Sequence, residues 1–445
     1  MVGLSQWLIT WRLVLVRPEK SASSCQESKA GYSIQEGAVC VDACRKVCFP
    51  RVRGLCVGHN DVMVCDGQPV ITHEERYSGG GIPLEMLLWG ESPRAAVPVK
   101  WRNCKGWIAN SATKNSPTEM VNISIAEKSR WIAGTQMVAD LKFMPFRSKF
   151  VGPNPHHEAE KLIPALLLAQ FHGVKGSLYW FGSSDPTMLS RWSTGMIDAF
   201  SSVLKVLFLK APAANQPPIC FEDAILFSGL TNGGYIPSQA TNNWLRHTVL
   251  KYCNIPEKNA ERPLAIAVVL NRPNSTRFIT NKRDVEAALE RELRVPVEHA
   301  TCGLGDFCSQ VKVVAEADFF LTPHGSHNIN FLFARPGATL LEAFPFLYHI
   351  DWFHNNIHAA RLQHHEIYGT WPIQDRMLSL RMWVYAFMYT WKTCFFTRQC
   401  MNYSKNQPIH VDIQQLRLLL VSLKASCRMI VPNSCCLLNT TSACY

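Results

Sequence analysis

Two stretches of this sequence carry residue types that could do chemistry together. One is Ala317 to Pro345, ADFFLTPHGSHNINFLFARPGATLLEAFP, in which an apolar run leads into His324, Gly325, Ser326, His327 and Asn328 before a second apolar run. A polar, glycine-containing connection at the C-terminal end of a parallel strand is where open α/β sheets bind ligands, phosphorylated ones especially. Glycine lets a ligand approach the backbone closely, and the amides that follow can point at a phosphate. The alternative reading of His324 is a hydrogen bond that holds the loop. Asn330 reads as a residue that caps or fixes the turn. Arg272 and Arg277, which follow an earlier strand end, could grip phosphates bidentately or lie on the surface.

The other stretch opens a helix-like segment with His156, His157 and Glu160. Spacings of three and four put Glu160 on the same helix face as both histidines. A carboxylate beside histidine is a general-base arrangement, although a core histidine with a satisfied hydrogen bond is commoner. His156 with Glu160, and His354 with His358, would also admit a metal-dependent hydrolase. Fifteen histidines make such pairs cheap by chance. There is no Walker loop, serine nucleophile elbow or Gly-x-Gly-x-x-Gly.

The elements that must position these groups are clearest in the second half. Leu264 to Leu270 is a continuous apolar run, as expected of a strand buried on both faces. Lys282 to Glu292 reads as a helix, Val295 to His299 as a strand and Phe307 to Ala315 as a helix. Ala317 to Leu321 is the next strand, Phe331 to Phe333 lies in a short helix, and Ala338 to Phe344 is a strand again. Strands alternating with helices at this spacing predict a parallel, doubly wound sheet, a Rossmann-like domain over 245–390. Residues 96–244 mix apolar runs with helical segments. Glu158 to Phe171 is the strongest helix, with Pro164 tolerated only near its first turns or at a kink. Ser177 to Phe181 reads as a strand, and Pro212 to Pro218 as a connection. Residues 1–95 read as a stem or cysteine-stapled cap ending at the Ser78–Pro83 loop, and 391–445 as a helical, cysteine-containing tail.

At 445 residues, with 47% hydrophobic and 18% charged, the chain is globular and long enough for two domains. Its net charge of +11 is spread out with no basic run. That favours anions in general and excludes a nucleic-acid tail. Seventeen cysteines, five of them at Cys40, Cys44, Cys48, Cys56 and Cys65, point to an oxidising compartment. A zinc module is the rival for that cluster. Sequons at Asn122, Asn274, Asn402 and Asn439 add to the lumenal reading. Leu4 to Val16 is apolar but short of the ~20 residues of a spanning helix, so a signal or membrane anchor at the N-terminus is a weak expectation. Met382 to Phe396, aromatic and interrupted by Lys392, is expected to be a buried helix.

Ala265 to Pro345 resembles the catalytic region of glycosyltransferase family 61. That family includes plant xylosyl- and arabinosyltransferases of cell-wall glycans and animal secretory-pathway O-linked N-acetylglucosaminyltransferases. The resemblance rests on Asn271-Arg272, Arg277-Phe-Ile-Thr-Asn281, Ala317-Asp318, His324-Gly325, Asn330, Pro336-Gly337-Ala338 and Glu342-Ala-Phe-Pro345. Upstream, Asn154-Pro-His156-His157, Val47-Cys-Phe, Leu55-Cys and the segment Tyr403 to Ile413 are similar more weakly. The family usually carries Gly-Ala close after His-Gly, where this chain has Ser326-His327. Its upstream motif often has Gly before His, where this chain has His156.

The resemblance implies an α/β fold of two Rossmann-like domains facing a cleft, in the GT-B manner. It implies an inverting transfer of GlcNAc, xylose or arabinose from a UDP-sugar to a glycan or protein hydroxyl in the Golgi or endoplasmic reticulum. The expected donor contacts are Arg272, Arg277, Asn281, His324, Gly325, Ser326, Asn330 and Glu342, the last accepting from ribose hydroxyls. Catalysis is expected of His157, with His156 and Glu160. No convincing Asp-x-Asp motif is present, so basic groups are expected in place of a metal, and no cofactor is expected beyond the donor. A carbohydrate-binding relative without activity is the alternative.

Overall fold

The computed structural model describes residues 31–35, 38–42, 46–58, 62–64, 100–101, 108–110, 119–121, 131–139, 153–181, 189–210, 212–213, 216–227, 235–257, 264–272, 276–301, 303, 305–350, 353–370, 380, 384–390, 393–394 and 397–430. The N-terminal apolar run, the Ser78–Pro83 loop and the sequons at Asn122, Asn274 and Asn439 lie outside them.

Two parallel-rich sheets organise these residues. In the first, β1 (Gly31–Gln35), β2 (Ala38–Asp42) and β3 (Lys46–Val57) form an antiparallel meander. β4 (Val62–Val64) and β5 (Lys100–Trp101) branch from β3, while β6 (Ile108–Asn110) and β7 (Glu119–Val121) make a separate hairpin. β8 (Trp131–Ala139), β9 (Leu178–Trp180), β10 (Val206–Phe208) and β11 (Ile219–Phe227) run parallel in the order β11-β8-β9-β10. β3 closes antiparallel against β11, and Cys56 is disulfide-bonded to Cys220 across that pair. The segment read as a stem or cap therefore supplies strands to this sheet, and Cys56 is not a zinc ligand.

The second sheet holds β12 (Ala267–Asn271), β13 (Val297–Thr301), β14 (Phe319–Pro323), β15 (Thr339–Phe344) and β16 (Gln363–Tyr368). All five are parallel, in the order β13-β12-β14-β15-β16. The strand order reverses between β12 and β14, and such a switch opens a crevice at the strands' C-terminal ends. The helices are α1 (Pro155–Phe171), α2 (Arg191–Ala199), α3 (Gln239–Tyr252), α4 (Lys282–Leu293), α5 (Phe307–Glu316), α6 (His354–Ala359), α7 (Arg398–Ser404) and α8 (Ile413–Ile430). A 3-10 helix over Ser326–Phe333 joins β14 to β15.

Side chains alternate across a strand, and both faces of this sheet are apolar. Val268, Leu270, Phe320 and Leu340 face one cluster, which continues through α1, α2 and α3 to the first sheet. Ala267, Val269, Phe319, Leu321 and Leu341 face the other, closed by α4 and α8. This double burial is why these strands read as unbroken apolar runs. Ala317 and Asp318 precede β14 instead of opening it. The Asp318 carboxylate accepts from the amides of Ala265 and Ile266 and from Arg335 Nε, so it is held as a turn anchor.

Two expectations are corrected. Pro164 lies well inside α1, which starts at Pro155 and runs on through it. That stretch is almost wholly buried, and packing outweighs the missing N–H. The described part of Met382–Phe396 is not a buried helix, since Phe387 is 78% exposed and Met388 61%.

Candidate functional site

The site is assembled at the β12/β14 switch. Asn271, the last residue of β12, accepts from the amides of Arg272 (2.9 Å) and Ile279 (2.8 Å) and donates to the Ile279 carbonyl (3.0 Å). One side chain thus fixes both ends of the loop that carries Arg272 and Arg277. Arg277 is in the left-handed region, at φ 62°, a conformation that costs an L-residue roughly 1–2 kcal/mol. Burial, with Arg272 beside it, lowers its pKa to about 10. Its Nε is buried and has no hydrogen-bond partner among the described residues.

Across the crevice, β14 ends in the His324–Gly325 turn. A Cβ on Gly325 would lie 2.8 Å from the His327 ring and 3.7 Å from Arg272 Nη1. Glycine is required here by crowding, since its backbone is extended. His327 Nε2 is 2.8 Å from Thr322 Oγ1. Burial and the charges of Arg272 and Arg277 push the His327 pKa down to about 3. The ring is neutral at physiological pH.

Glu342 lies beneath this turn, 1% exposed. It accepts from Asn328 Nδ2 (2.7 Å), and its oxygens lie 2.7 Å from His324 Nδ1 and 2.9 Å from His364 Nε2. Burial alone would raise its pKa, but His324 and His364 hold it well below the carboxylate range. Desolvation lowers the His324 pKa, while at His364 the bond to Glu342 outweighs desolvation and raises it. Glu342 thus organises the turn from inside. Asn281 is likewise engaged elsewhere. It donates to the Val411 carbonyl (2.8 Å) and accepts from the Val411 amide (3.0 Å), clamping the chain ahead of α8. Asn330 fixes the 3-10 turn by donating to the His327 carbonyl and to Gln310. Ser326, partly exposed, opens that turn beside Gly325.

The second group comes from the N-terminus of α1. Asn154 caps the helix by accepting from the His157 amide, while Glu158 accepts from the Asn154 amide. Glu158 also accepts from the Ser190 amide and hydroxyl and from Ser193 Oγ, which ties α1 to the start of α2. His157 Nδ1 is 3.1 Å from Glu160 Oε2, and His157 is the accessible member, 32% exposed. His156 is buried, with Nε2 3.9 Å from Glu160 Oε1. Desolvation pushes its pKa down to about 4, so it is neutral. Ligand atoms of His156, His157 and Glu160 lie within 4.8 Å of one another, the spacing of a metal-binding trio.

Phe353 joins the two groups. Its ring centroid is 4.6 Å from that of His156 and 5.5 Å from that of His324. The start of α1 and the switch-point loop are thus neighbours. Phe353, Tyr348 and His364 were not anticipated. Tyr348 packs edge-on to His324, and burial pushes its hydroxyl pKa up to about 12. Asn402, on α7, is partly exposed.

Residues 131–341 match the Glycosyltransferase 61 family model. The chain is 30% identical over 114 residues to protein O-linked-mannose beta-1,4-N-acetylglucosaminyltransferase 2 of Tetraodon nigroviridis, covering 25% of this chain and 20% of that protein. It is 31% identical over 91 residues to the protein of the same name from Takifugu rubripes, covering 20% of this chain and 15% of that one. The chain therefore spans a fifth or less of the length of these relatives. Arg272, Arg277, His324 and the α1 dyad all fall inside the family match, and residues 131–341 are a glycosyltransferase 61 domain.

Proposed function

We propose that this protein is an inverting glycosyltransferase that moves a sugar from a UDP-sugar to a hydroxyl of a glycan or protein in the secretory pathway. The observation that carries this is the Arg272–Arg277 pair at the β12/β14 switch. A partly desolvated guanidinium beside a second cation, with a buried donor left over, is a site waiting for an anion. The donor diphosphate fits it in charge and in bidentate geometry. GlcNAc is the sugar favoured by the names of the two fish relatives; xylose and arabinose are the rivals from elsewhere in the family. Disulfides and the four sequons support a Golgi or endoplasmic reticulum lumen.

In this reading the two sheets belong to Rossmann-like lobes facing a common cleft. The donor lies on the switch-point side and the acceptor approaches His157. The Glu160 carboxylate takes the Nδ1 proton of His157 in a hydrogen bond and so leaves Nε2 as the base. The acceptor oxygen attacks the anomeric carbon as its proton passes to Nε2. The bond from the anomeric carbon to the phosphate oxygen breaks, and its electron pair leaves on the diphosphate. Arg272 and Arg277 take up that charge without a metal, while His156 lies beside Glu160 on its buried side.

The test is UDP binding with and without EDTA, followed by transfer assays with UDP-GlcNAc, UDP-xylose and UDP-arabinose. EDTA-resistant binding that weakens about 10–100-fold in Arg272→Ala supports the reading. A His157→Ala variant that binds UDP normally should transfer at least about 100-fold more slowly. Folded protein that binds no uridine nucleotide overturns the proposal.

A further inference from the structure

The first turns of α1 bring three metal-ligating side chains to one point. His157 Nδ1 lies 3.1 Å from Glu160 Oε2, and His156 Nε2 lies 3.9 Å from Glu160 Oε1. All the ligand atoms are within 4.8 Å of one another. The first distance is that of a hydrogen bond, but 3.9 Å is too long for one. Both are near the separation of two ligands on a single tetrahedral ion, which is about 3.4 Å for bonds of about 2.0–2.1 Å. Two imidazoles and a carboxylate are also a donor set that holds zinc while leaving a fourth position open. The general-base reading uses His157 and Glu160 and gives His156 no chemical step, although His156 points at the same carboxylate.

The backbone beneath the trio is fixed. Asn154 caps α1 through the His157 amide, and Glu158 ties the same turn to Ser190 and Ser193. Closing the trio on an ion therefore takes small side-chain movements and no backbone change. His156 and Glu160 are buried, with the Phe353 ring 4.6 Å from that of His156, so the inner side is closed to water. His157 is partly exposed and gives an ion its way in. The positive end of α1 opposes a cation, and the carboxylates of Glu158 and Glu160 offset it. We propose that His156, His157 and Glu160 form a binding site for a zinc-like divalent cation, and that the bound cation switches transfer off. The switch rests on the transferase reading, whereas the metal site does not. With Nδ1 of His157 on the metal, the one proton of the neutral ring moves to Nε2, the atom that has to take the acceptor proton. Glu160, itself a ligand, no longer receives the Nδ1 proton.

The test is titration of the metal-free full chain with cobalt(II), read by visible absorption, and with zinc(II), read by calorimetry. Cobalt should give the intense visible bands of a four-coordinate ion without the near-ultraviolet band of a thiolate ligand, which separates this trio from the cysteines. Glu160→Gln and His157→Ala should each weaken zinc about 100-fold or more, since outer partners of a metal site alone are worth about 10–100-fold. His157→Ala, at a partly exposed side chain, should keep the wild-type Tm. His354→Ala/His358→Ala, a histidine pair of the same spacing on α6, should bind zinc like the wild type. Saturating zinc should slow transfer about 100-fold or more, as loss of a general base does, and EDTA should restore it. A folded wild type without such a cobalt spectrum, or a spectrum unchanged in His157→Ala and Glu160→Gln, overturns the site. Transfer at the same rate with the site filled overturns the switch. A chain that binds cobalt through the trio but binds no uridine nucleotide keeps the metal site and overturns the transferase reading together with the switch.

Discussion

The Glu342 carboxylate lies 2.7 Å from His324 Nδ1, with both side chains closed to solvent. The turn that ends β14 therefore depends on a buried charge. Glu342 also holds Asn328 and His364, so one residue ties β14, the 3-10 helix and β16 together. Glu342→Gln removes the charge and leaves His364 without its ion pair. The expected cost is about 3–5 kcal/mol, as for a broken buried pair, read from urea unfolding at neutral pH. The sign with pH follows from the depressed pKa. The Glu342 contribution is present above the ordinary carboxylate value of 4.5 and is lost as pH falls below it. A Gln variant as stable as the wild type at pH 7 would show that the pair contributes nothing.

The sequence exposes some of this site and hides the rest for a physical reason. β12, β14 and β15 are legible because burial on both faces leaves no polar alternation to confuse the pattern. His157 and Glu160 are legible because a helix turns a spacing of three into contact. The structural partners of Glu342 and Asn281 were hidden because they are distant in the chain. Glu342 meets His364, and Asn281 meets Val411, 130 positions on. Phe353 carries no chemical signature at all; only the fold places it between two histidines. Hydropathy likewise marks Met382–Phe396 as apolar but cannot tell an inward face from an outward one.

His156 makes stability depend on pH. Burial takes its pKa from 6.5 to about 4. As pH falls from 6.5 the unfolded chain binds a proton that the folded protein refuses, and stability drops. The loss approaches about 3 kcal/mol near pH 4 and then levels off. His324 and His327 act in the same direction, while His364, whose pKa is raised, stabilises at low pH and loses that contribution as pH rises. His156→Gln should flatten the wild-type decline between pH 6.5 and 4 by the His156 share. Parallel unfolding midpoints for the two proteins across that window would refute the burial account.

Gly325→Ala tests crowding at the switch. The backbone there suits any residue, so the whole effect comes from the added methyl 2.8 Å from the His327 ring. His327 must swing, which breaks its contact with Thr322 Oγ1. Overpacking of this kind costs about 1–3 kcal/mol, and the methyl also crowds Arg272. The variant should lose Tm and UDP affinity together. Unchanged UDP affinity in a destabilised variant would place the Gly325 backbone away from the donor.

Arg277 sets function against stability. Its guanidinium is desolvated beside Arg272, and its backbone sits at φ 62°. Both features cost folding free energy in the absence of a ligand. Arg277→Gly relieves both, so the ligand-free protein should gain about 1 kcal/mol or more. Arg277→Ala relieves the charge but keeps the backbone strain, and should fall below the glycine variant by about 1 kcal/mol. Both should bind UDP about 10–100-fold more weakly, as expected for the loss of charge-assisted hydrogen bonds. Urea unfolding without nucleotide and calorimetry with UDP separate the two effects. A glycine variant that is less stable than the wild type, yet binds UDP equally well, would make Arg277 a structural residue and leave the anion site to Arg272 alone.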